Sequence, residues 1–331
     1  GSGALKVTPA HDFNDYEIGK RHSLETIDVL NANGTISDAG QILVGMDRFK
    51  ARKAIIPMLE DIGHLIKTED YEKNVGRSER TNSIVEPRLS LQWYVDMKSL
   101  AKPALDAVES DEVEFFPKNQ KNLYRHWMEN IRDWCVSRQL WWGHRIPAYY
   151  YKEDVYVDVS TEGAFAKAKK DHPNITMTDL KQEEDVLDTW CSSWLWPISC
   201  FHGFQSREEL DYYYPTAVLV TGWDIIFLWV ARMIMSGYEW EGKRPFKDVY
   251  FTGMVRDQQR RKMSKSLGNS PDALKLISDF GADGVRFGIM SSSPAGGDLL
   301  FDEKLCEQGR NFSNKIWNAL RLVKGWEMAD V

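Results

Sequence analysis

The chain of 331 residues is 27% charged, 43% hydrophobic and 12% aromatic. These fractions exclude a disordered or collagen-like polypeptide, and the length predicts about two domains at roughly 100–200 residues each. Acidic residues outnumber lysine and arginine by 49 to 42, which gives a net charge of −7. That balance argues against a uniformly basic protein that coats nucleic acid, but it does not exclude local basic patches.

The cysteines and the apolar stretches are typical of a cytoplasmic protein. No two of the four cysteines are separated by two residues, so we expect neither a zinc knuckle nor a redox pair. The apolar stretch 218–235 contains Asp224 and Arg232, which indicates buried core rather than a membrane span. No signal peptide is recognisable at the start, and the missing initiator Met suggests a piece of a longer polypeptide.

The first part of the chain is predicted to form a small α/β unit. Short extended stretches alternate with turns such as Asn33-Gly34, and apolar residues at helical spacing run from Phe49 to Ile62. The polar segment 68–80 shows no periodicity, so we expect it to cross to a second unit.

Two amphipathic helices are predicted further along the chain. Residues 119–135 place Leu123, Trp127 and Ile131 on one apolar stripe, which we expect to be buried. Residues 302–326 repeat the pattern and form the second helix.

A stretch between these helices predicts a parallel βαβ unit, and hence an α/β fold. Residues 217–220 read as a strand buried on both faces, 224–235 as a helix and 249–251 as a second buried strand. Parallel strands place their carboxyl ends at one edge, where ligands of open α/β sheets bind. Ser270 and Pro271 are expected as the N-cap and first residue of the next helix.

A basic loop follows the second strand. Residues 260–266 read Arg-Arg-Lys-Met-Ser-Lys-Ser and carry four cations. Lysine ammonium groups on a flexible loop at the ligand edge suit a polyphosphate, because they can contact its oxygens as charge moves during transfer. From composition alone, a solvated surface loop remains the alternative.

The string Lys-Met-Ser-Lys-Ser at 262–266 resembles the second signature of the class I aminoacyl-tRNA synthetases. Its flanks, 253–257 and 267–269, resemble the branched-aliphatic subgroup of that family. Within the subgroup the resemblance is to the valyl-tRNA synthetases and covers essentially the whole chain. The segments that carry it are 8–17, 134–139, 188–193, 221–227 and 309–312.

The resemblance implies a partial Rossmann-like parallel sheet, the second half of the class I synthetase core. It divides the chain into the end of an editing domain (1–76), this half of the catalytic domain with an inserted segment (77–301), and the first helix of an α-helical anticodon-binding bundle (302–331). The first class I signature, His-Ile-Gly-His, is absent from the sequence. We therefore expect a truncated polypeptide that is inactive by itself, and a monomer in the full-length form.

The resemblance also implies the chemistry, which is activation of valine with ATP followed by transfer to tRNA(Val). Lys262 and Lys265 would stabilise the departing pyrophosphate together with Mg²⁺, and no zinc is expected. Asp224 would accept hydrogen bonds from the ribose hydroxyls, unless it only caps a helix. The remaining ATP contacts would come from Gly222, Met263, whose backbone would hold the adenine, and Ser264.

Two further sets of residues match family positions that select the amino acid. Trp190 and Ile225 would wall the valine side chain, with ordinary core packing as the alternative. An apolar wall rejects threonine only weakly, so a hydrolytic editing site is implied. Its residues would be Lys6, Thr8, Asp12 and Asp15, of which Asp15 is the best contact for the ammonium of threonine; an Asx turn is the alternative for Asp12.

The segment 118–145 is locally basic and rich in aromatic residues, which indicates a path for the tRNA acceptor strand. Arg138, Trp142 and Arg145 are the candidate tRNA contacts. Two other functions remain open: a non-catalytic RNA-binding piece, and another α/β nucleotidyltransferase such as the isoleucyl relative.

Overall fold

The structure, a computed structural model, describes residues 3–78, 81–264 and 267–327. The chain forms two units, Gly1–Leu91 and Gln92–Val331. The boundary expected near residue 76 lies inside the first unit, and the division into three domains stays a prediction.

The elements are numbered in chain order. The described α-helices are α1 (Phe13–His22), α2 (Arg48–Asp61), α3 (Lys98–Glu109), α4 (Gln120–Glu129), α5 (Thr161–Asp171), α6 (Thr189–Ser193), α7 (Trp196–Ser199), α8 (Glu208–Tyr213), α9 (Ala231–Ser236), α10 (Ala273–Phe280), α11 (Ala282–Ser292) and α12 (Glu303–Lys324). The described strands are β1 (Tyr94–Val95), β2 (Glu114–Phe116), β3 (Trp134–Cys135), β4 (Ser137–Arg138), β5 (Ala148–Tyr151), β6 (Asp154–Val157), β7 (Lys181–Gln182), β8 (Val186–Leu187), β9 (Thr216–Gly222), β10 (Phe246–Thr252), β11 (Val255–Arg256) and β12 (Leu299–Leu300).

The first unit is built around α1 and α2, and both helices begin at an aspartate. Asp12 accepts hydrogen bonds from the backbone N–H groups of the first turn of α1, and Asp47 does the same for α2. The helix predicted from Phe49 to Ile62 is therefore confirmed, with bounds shifted by one residue. Gly63 follows it with a φ of +71°, a conformation that glycine adopts without strain and that ends the helix.

The second unit is organised by a three-stranded parallel sheet in the order β2-β10-β9. Helices α3, α4 and α9 pack on one face of it, and the core between them contains Phe115, Leu219, Val249 and Phe251 from the strands. The predicted parallel pairing of the two strands on either side of the helical crossover is confirmed, and these strands, β9 and β10, are each longer than expected.

The expectation that β9 is buried on both faces is wrong. Phe116, Tyr250 and Val220 lie side by side in one row across the three strands, and they are 37%, 39% and 61% exposed. Side chains alternate between the two faces of a strand, and among the described residues only the opposite face is covered by helices. The sheet therefore has one packed and one open face.

The crossover from β9 to β10 is less regular than the α-helix predicted for 224–235. It begins with a 3₁₀ turn (Trp223–Ile225), passes through a π-helical turn (Ile226–Val230) into α9, and ends in a second π-helical turn (Gly237–Glu241). The chain nevertheless stays helical from β9 almost to β10, as the crossover of a parallel pair requires.

The helix predicted for residues 119–135 is confirmed but is shorter, and its fully buried residues lie one position beyond the predicted stripe, although Leu123 and Ile131 still pack against the core. The helix ends at Glu129, and its buried residues include Tyr124 and Met128. Tyr124 fixes this rotation, because its hydroxyl donates to the carbonyl of Ala104 at 3.0 Å. Trp127, expected in the core, is 45% exposed and stacks on Phe227 with the ring centroids 4.9 Å apart.

Two smaller layers also belong to the second unit. Strands β5, β6 and β7 form an antiparallel sheet that packs with α5 around Tyr149 and Tyr156. Helices α10, α11 and α12 form the other layer, and α12 confirms the helix predicted for 302–326. Helix α10 begins later than predicted, because its N-cap is Asp272, which accepts a hydrogen bond from the N–H of Leu274 at 2.9 Å. None of the helices in the described ranges is long and apolar enough to cross a membrane.

Candidate nucleotide-binding site

The candidate site lies at the carboxyl edge of the parallel sheet. Strands β9 and β10 pair in a register that places Phe251 beside Thr221 and Thr252 beside Gly222, and both strands end there. The residues that follow each strand therefore leave the sheet side by side, at the edge where open α/β sheets bind ligands. This juxtaposition is the one that the sequence predicted.

Asp224 presents a free carboxylate at this edge. It lies in the 3₁₀ turn Trp223–Ile225, which has no side-chain cap, so Asp224 is not a helix-capping residue here. Its side chain is exposed and makes no hydrogen bond to any other residue that the structure describes. A Cβ atom at Gly222 would lie 2.5 Å from Oδ1 of Asp224, so a side chain at that position would require the carboxylate to rotate away. The carboxylate is thus available to accept hydrogen bonds from a ligand.

The basic loop folds back on the strand from which it starts. Arg256 and Lys262 form an antiparallel bridge, and the N–H of Asp257 donates to the carbonyl of Arg261 at 3.1 Å. Arg260, at the turn, has a φ of +65°. The backbone of Lys262 is therefore fixed beside β11, while its ammonium group extends from an exposed position.

Asp257 organises this loop, although it was not predicted from the sequence as a site residue. Its Oδ1 accepts hydrogen bonds from the backbone N–H groups of Arg261 at 2.8 Å and Gln259 at 3.0 Å. Its Oδ2 accepts from Nδ2 of Asn269 at 2.9 Å and from Nε of Arg261 at 2.8 Å. The hydrogen bond from Asn269, followed by those from Arg261, lowers the pKa of Asp257 to about 2.

Asn269 closes the loop from its other end and was also not predicted. Besides donating to Asp257, its Nδ2 donates to the carbonyl of Lys262 at 3.3 Å, and its Oδ1 accepts from the N–H of Ser264 at 2.9 Å. Asparagine and aspartate in glycine-containing loops commonly bond to nearby backbone groups. That pattern, present in the sequence on both sides of the lysines, is the signal that could have identified the pair.

The other predicted ATP contacts on this loop are held in different ways. Met263 is half-buried and packs against the core of α10, α11 and α12, so its backbone is anchored. The hydroxyl of Ser264 accepts from the N–H of Leu267 at 3.2 Å. Lys265 lies outside the described residues, and its role stays a prediction.

A cavity of about 570 Å³ lies between this loop and the start of α12. Among the described residues, its charged lining is mainly acidic, and the arginine among them, Arg261, is already paired with Asp257. Such a lining does not suit a polyphosphate. The lining residues are Asp257, Gln258, Gln259, Arg261, Met263, Gly268, Asn269, Ser270, Pro271, Phe301, Asp302 and Glu303.

Trp190 and Ile225 lie on elements that pack against each other. Trp190 is in α6, which contacts the π-helical turn that follows Ile225, and the indole of Trp229 in that turn donates to the carbonyl of Ser193 at 3.0 Å. Both residues are partly buried, and Trp190 packs against the main core. The structure thus holds the two side chains in adjacent elements, and their role as a valine pocket stays a prediction.

The editing candidates form one cluster in the first unit. Asp15 accepts hydrogen bonds from the N–H of Thr8 at 2.8 Å and its hydroxyl at 3.1 Å, and Nζ of Lys6 lies 3.8 Å away. These contacts, led by the backbone hydrogen bond from Thr8, lower the pKa of Asp15. Asp12 caps α1, as the Asx-turn alternative expected. Three of the four residues are therefore in mutual contact, and Asp12 lies at the start of the same helix.

The two arginines among the tRNA candidates are already engaged. Arg138 pairs with Asp188 at 2.7 Å and donates to two backbone carbonyls. Arg145 donates to the carbonyls of Glu183 and Gln182. Contact with RNA through either guanidinium would compete with these bonds.

Trp142 differs from the arginines, because its side chain is almost fully exposed, as is that of its neighbour Trp141. Exposed indole rings can stack on unpaired bases. Of the predicted tRNA contacts, Trp142 is thus the one left free by its surroundings, and a role in RNA binding stays a prediction for all three.

Within the described parts of the chain, no group of three or more His, Cys, Asp or Glu side chains is arranged to hold a metal ion. The predicted absence of zinc remains a prediction, since metal analysis alone can test it.

The amino-acid sequence matches a known protein family and several curated relatives. Residues 12–302 match the family model described as tRNA synthetases class I (I, L, M and V). The valine–tRNA ligase of Bacteroides fragilis is 63% identical over 332 residues, which covers 99% of this chain and 38% of that protein. The valine–tRNA ligase of Parabacteroides distasonis is 62% identical, covering 100% of this chain and 38% of the relative. The chain thus spans 38% of the length of these curated relatives.

Among solved structures, the methionyl-tRNA synthetase of Mycobacterium tuberculosis in complex with methionyl-adenylate superimposes with a TM-score of 0.54. The match covers 77% of this chain and 47% of that one at 18% sequence identity. This likeness supports the α/β fold with a parallel sheet.

Proposed function

Because the chain belongs to the class I tRNA synthetases of the isoleucine, leucine, methionine and valine group, we propose that the complete protein containing it is a valine–tRNA ligase. The observation that supports the proposal is that β9 and β10 end side by side, with the carboxylate of Asp224, unpaired among the described residues, two residues after β9 and the lysine-bearing loop following β10 in the chain. The names of relatives at 62–63% identity support valine as the amino acid.

The proposed first step is an in-line displacement at the α-phosphorus of ATP. A carboxylate oxygen of valine forms a bond to that phosphorus, the bond to the α,β-bridging oxygen breaks, and its electron pair leaves with pyrophosphate. In the second step a ribose hydroxyl oxygen at the tRNA 3′ end forms a bond to the carbonyl carbon of the adenylate and its proton is released to solvent, while the bond from that carbon to the phosphate oxygen breaks and AMP leaves. Both steps depend mainly on positioning and on compensation of developing negative charge.

Each loop and strand residue has a part in the first step. The ammonium of Lys262, with that of Lys265, would stabilise charge on the departing pyrophosphate. Asp224 would accept hydrogen bonds from the ribose hydroxyls, and Gly222, which has no side chain, would leave room for the ribose. The backbone at Met263 and Ser264 would bind the adenine end of ATP. Mg²⁺ would arrive on the phosphates of ATP and add to the compensation of their charge.

The test is valine-dependent exchange between ATP and pyrophosphate by the complete gene product that contains residues 1–331. Asp224→Ala removes charged hydrogen-bond acceptors, so we expect KM for ATP to rise about 10- to 100-fold. Lys262→Ala removes charge stabilisation in the transition state, so kcat should fall about 100-fold. Lys275→Ala, at an exposed position of α10, is the matched control and should leave both constants unchanged.

The outcomes discriminate between the alternatives. Exchange that depends on isoleucine rather than valine would assign the isoleucyl activity. Binding of tRNA without any amino-acid-dependent exchange would leave a non-catalytic RNA-binding protein and overturn the proposal.

We further propose that the cluster around Asp15 binds the ammonium of misactivated threonine in an editing site. The pair Thr8 and Lys6 holds the carboxylate ionised and in a fixed orientation. Asp15→Asn keeps the size of the side chain but removes its charge, so hydrolysis of threonyl-tRNA(Val) should slow about 10- to 100-fold. ATP–pyrophosphate exchange with valine is the internal control; a loss of that activity together with hydrolysis would indicate misfolding rather than an editing role.

A further inference from the structure

Asp298 accepts hydrogen bonds from three donors that lie at the ends of the two central strands. Its Oδ1 accepts from the N–H of Met254 at 3.1 Å and from the indole Nε1 of Trp223 at 3.3 Å, and its Oδ2 accepts from Nε of Arg256. Asp298 itself lies on the segment between α11 and β12. One carboxylate therefore joins three segments of chain at the carboxyl edge.

The donors are neighbours of the two groups proposed to bind ATP. Trp223 stands directly before Asp224, in the same 3₁₀ turn. Arg256 forms the backbone bridge to Lys262, and its Nη1 donates to the carbonyl of Arg260 at 3.3 Å. A displacement of Asp298 would therefore displace both the turn that carries Asp224 and the backbone at Lys262.

The backbone around Asp298 is pinned on both sides. The N–H of Gly296 donates to the carbonyl of Phe251 at 2.8 Å, and the N–H of Leu299 donates to that of Met254 at 2.9 Å. A Cβ atom on Gly253 would lie 1.4 Å from the carbonyl oxygen of Gly297, so the two chain segments are in direct backbone contact. The carboxylate is consequently preorganised by the fold and does not depend on a ligand for its orientation.

The ion pair with Arg256 is partly shielded from water, with side-chain exposures of 28% for Asp298 and 29% for Arg256. The guanidinium lowers the pKa of the Asp298 carboxyl, which is ionised at neutral pH. Charge-assisted hydrogen bonds of this kind are stronger and more directional than neutral ones. An asparagine at this position could keep the two bonds to Oδ1 but would lose the ion pair.

We propose that Asp298 is a positioning residue for ATP, which holds Trp223 and Arg256 in register and so fixes the spacing between Asp224 and Lys262. The inference rests on the proposed function, since it assumes that these two groups bind the ribose and the phosphates. Groups that act on two ends of one substrate must be held to a fraction of an ångström, and a misplacement of about 1 Å can cost about 100-fold in rate. Asp298 touches neither substrate nor reacting atoms in this role.

The test compares Asp298→Ala and Asp298→Asn in the complete gene product, by exchange assays in which ATP and valine are varied separately. Asp298→Ala should lower kcat/KM for ATP about 10- to 100-fold and raise KM for valine less, because only Ile225, in the same turn as Trp223, lies on the valine side. Asp298→Asn should recover part of the loss, because it can still accept from Trp223 and Met254. Trp223→Phe, which removes only the indole donor, should have a smaller effect in the same direction.

Asp179→Ala is the matched control. Asp179 is also a hydrogen-bonded carboxylate, which accepts from the N–H and hydroxyl of Thr176 at 2.8 and 2.7 Å, but it lies in the 3₁₀ turn Met177–Asp179, outside the central sheet. Its loss should lower stability without changing kcat/KM for ATP. Hydrogen exchange of the amides of 256–262 in the free protein gives a second readout, which Asp298→Ala should accelerate and Asp179→Ala should not.

The possible results separate the inference from the proposed function. Wild-type protein without amino-acid-dependent exchange would overturn the proposed function and this inference with it. Active wild-type protein with an unchanged kcat/KM for ATP in Asp298→Ala would overturn the inference alone. An equal loss of kcat/KM for ATP and for valine, together with unfolding of the variant, would show that Asp298 has only a structural role. If Asp298→Ala does not fold, the same comparison is made with Asp298→Asn and Trp223→Phe.

Discussion

Arg232 shows how a single charged side chain is accommodated inside the second unit. It is 5% exposed, and its guanidinium lies 3.5 Å from the centre of the Trp134 ring. Two of its nitrogens, Nε and Nη1, are buried without a hydrogen-bond partner among the described residues. Burial lowers the pKa of Arg232 to about 10, against the opposing influence of Asp188. The cation is thus stabilised more by stacking than by pairing.

Replacement of Arg232 should depend on shape rather than on charge. Asp188 remains paired with Arg138 and with the indole of Trp134 when Arg232 is removed. Arg232→Met fills similar space without a buried charge, so it should change the free energy of unfolding by less than about 1.5 kcal/mol. Arg232→Lys keeps a buried cation, but the ammonium group is strongly hydrated and is not planar, so it cannot stack on the Trp134 ring. This variant should lower the free energy of unfolding by about 2–4 kcal/mol. Urea unfolding of both variants checks the order; a lysine variant as stable as the methionine variant would contradict it.

The fate of the predicted tRNA contacts shows what a sequence cannot provide at this scale. Arg138 and Arg145 were selected because they are cationic and lie near aromatic residues, and that much is visible in the sequence. Arg138 donates to two nearby carbonyls, but its ion-pair partner lies 50 positions away, and the carbonyls that accept from Arg145 lie 37 and 38 positions away. Local composition carries no information about such long-range bonds, so the free or engaged state of a cation had to come from the structure.

At the scale of elements, the described parts of the basic loop, 257–264 and 267–269, are joined to each other by side-chain hydrogen bonds. Asp257 and Asn269 bond to each other across its ends, and Asn269 also bonds to the backbone at Lys262 and Ser264. The backbone at Lys262 and Ser264 is therefore held by the fold before any phosphate binds. Preorganisation of this kind reduces the ordering cost that ligand binding would otherwise meet.

Removal of the asparagine should open this loop. Asn269→Ala deletes three hydrogen bonds at about 1 kcal/mol net each, part of which water replaces, so amide exchange in 257–264 should accelerate about ten-fold. Tryptic cleavage after Arg260, Arg261 and Lys262 should accelerate in parallel. Asn119→Ala, at the start of α4 and without a side-chain cap bond, is the control. Equal exchange in the two variants would show that Asn269 does not close the loop.

The central elements also show where sequence patterns succeed and where they stop. The order strand, helical crossover, strand and loop follows from apolar runs and a turn at glycine, and the parallel pairing follows from that order. The open face of β9 does not, because a continuous apolar strand looks the same whether one or both faces are covered. The rotation of α4 was likewise decided by the bond from Tyr124 to Ala104, which helical periodicity does not reveal.

At the scale of the whole molecule, carboxylates stabilised in their ionised form recur in both units. The pKa of Asp15 is lowered chiefly by the backbone of Thr8, that of Asp158 by the ammonium of Lys167, and that of Asp298 by Arg256. Asp257, with a pKa of about 2, joins them. A lowered pKa means that the folded chain binds protons less readily than the unfolded chain, so acid favours unfolding.

The stability of the protein should therefore fall as the pH decreases below about 4, and Asp257 gives the clearest test. Its contribution is fully present above the ordinary pKa of 3.8 and is lost as the pH falls through its folded-state value of about 2. In Asp257→Asn, a side-chain NH₂ group would face the N–H donors of Asn269 and Arg261, so the variant should be less stable than wild type near neutral pH. This difference in the free energy of unfolding should shrink between about pH 4 and about pH 2, where the wild-type carboxylate becomes protonated. Urea midpoints at constant ionic strength measure this convergence. A difference that stays constant over that range would mean that the ionised carboxylate does not hold the loop, and that the closure of the lysine-bearing segment depends on Asn269 alone.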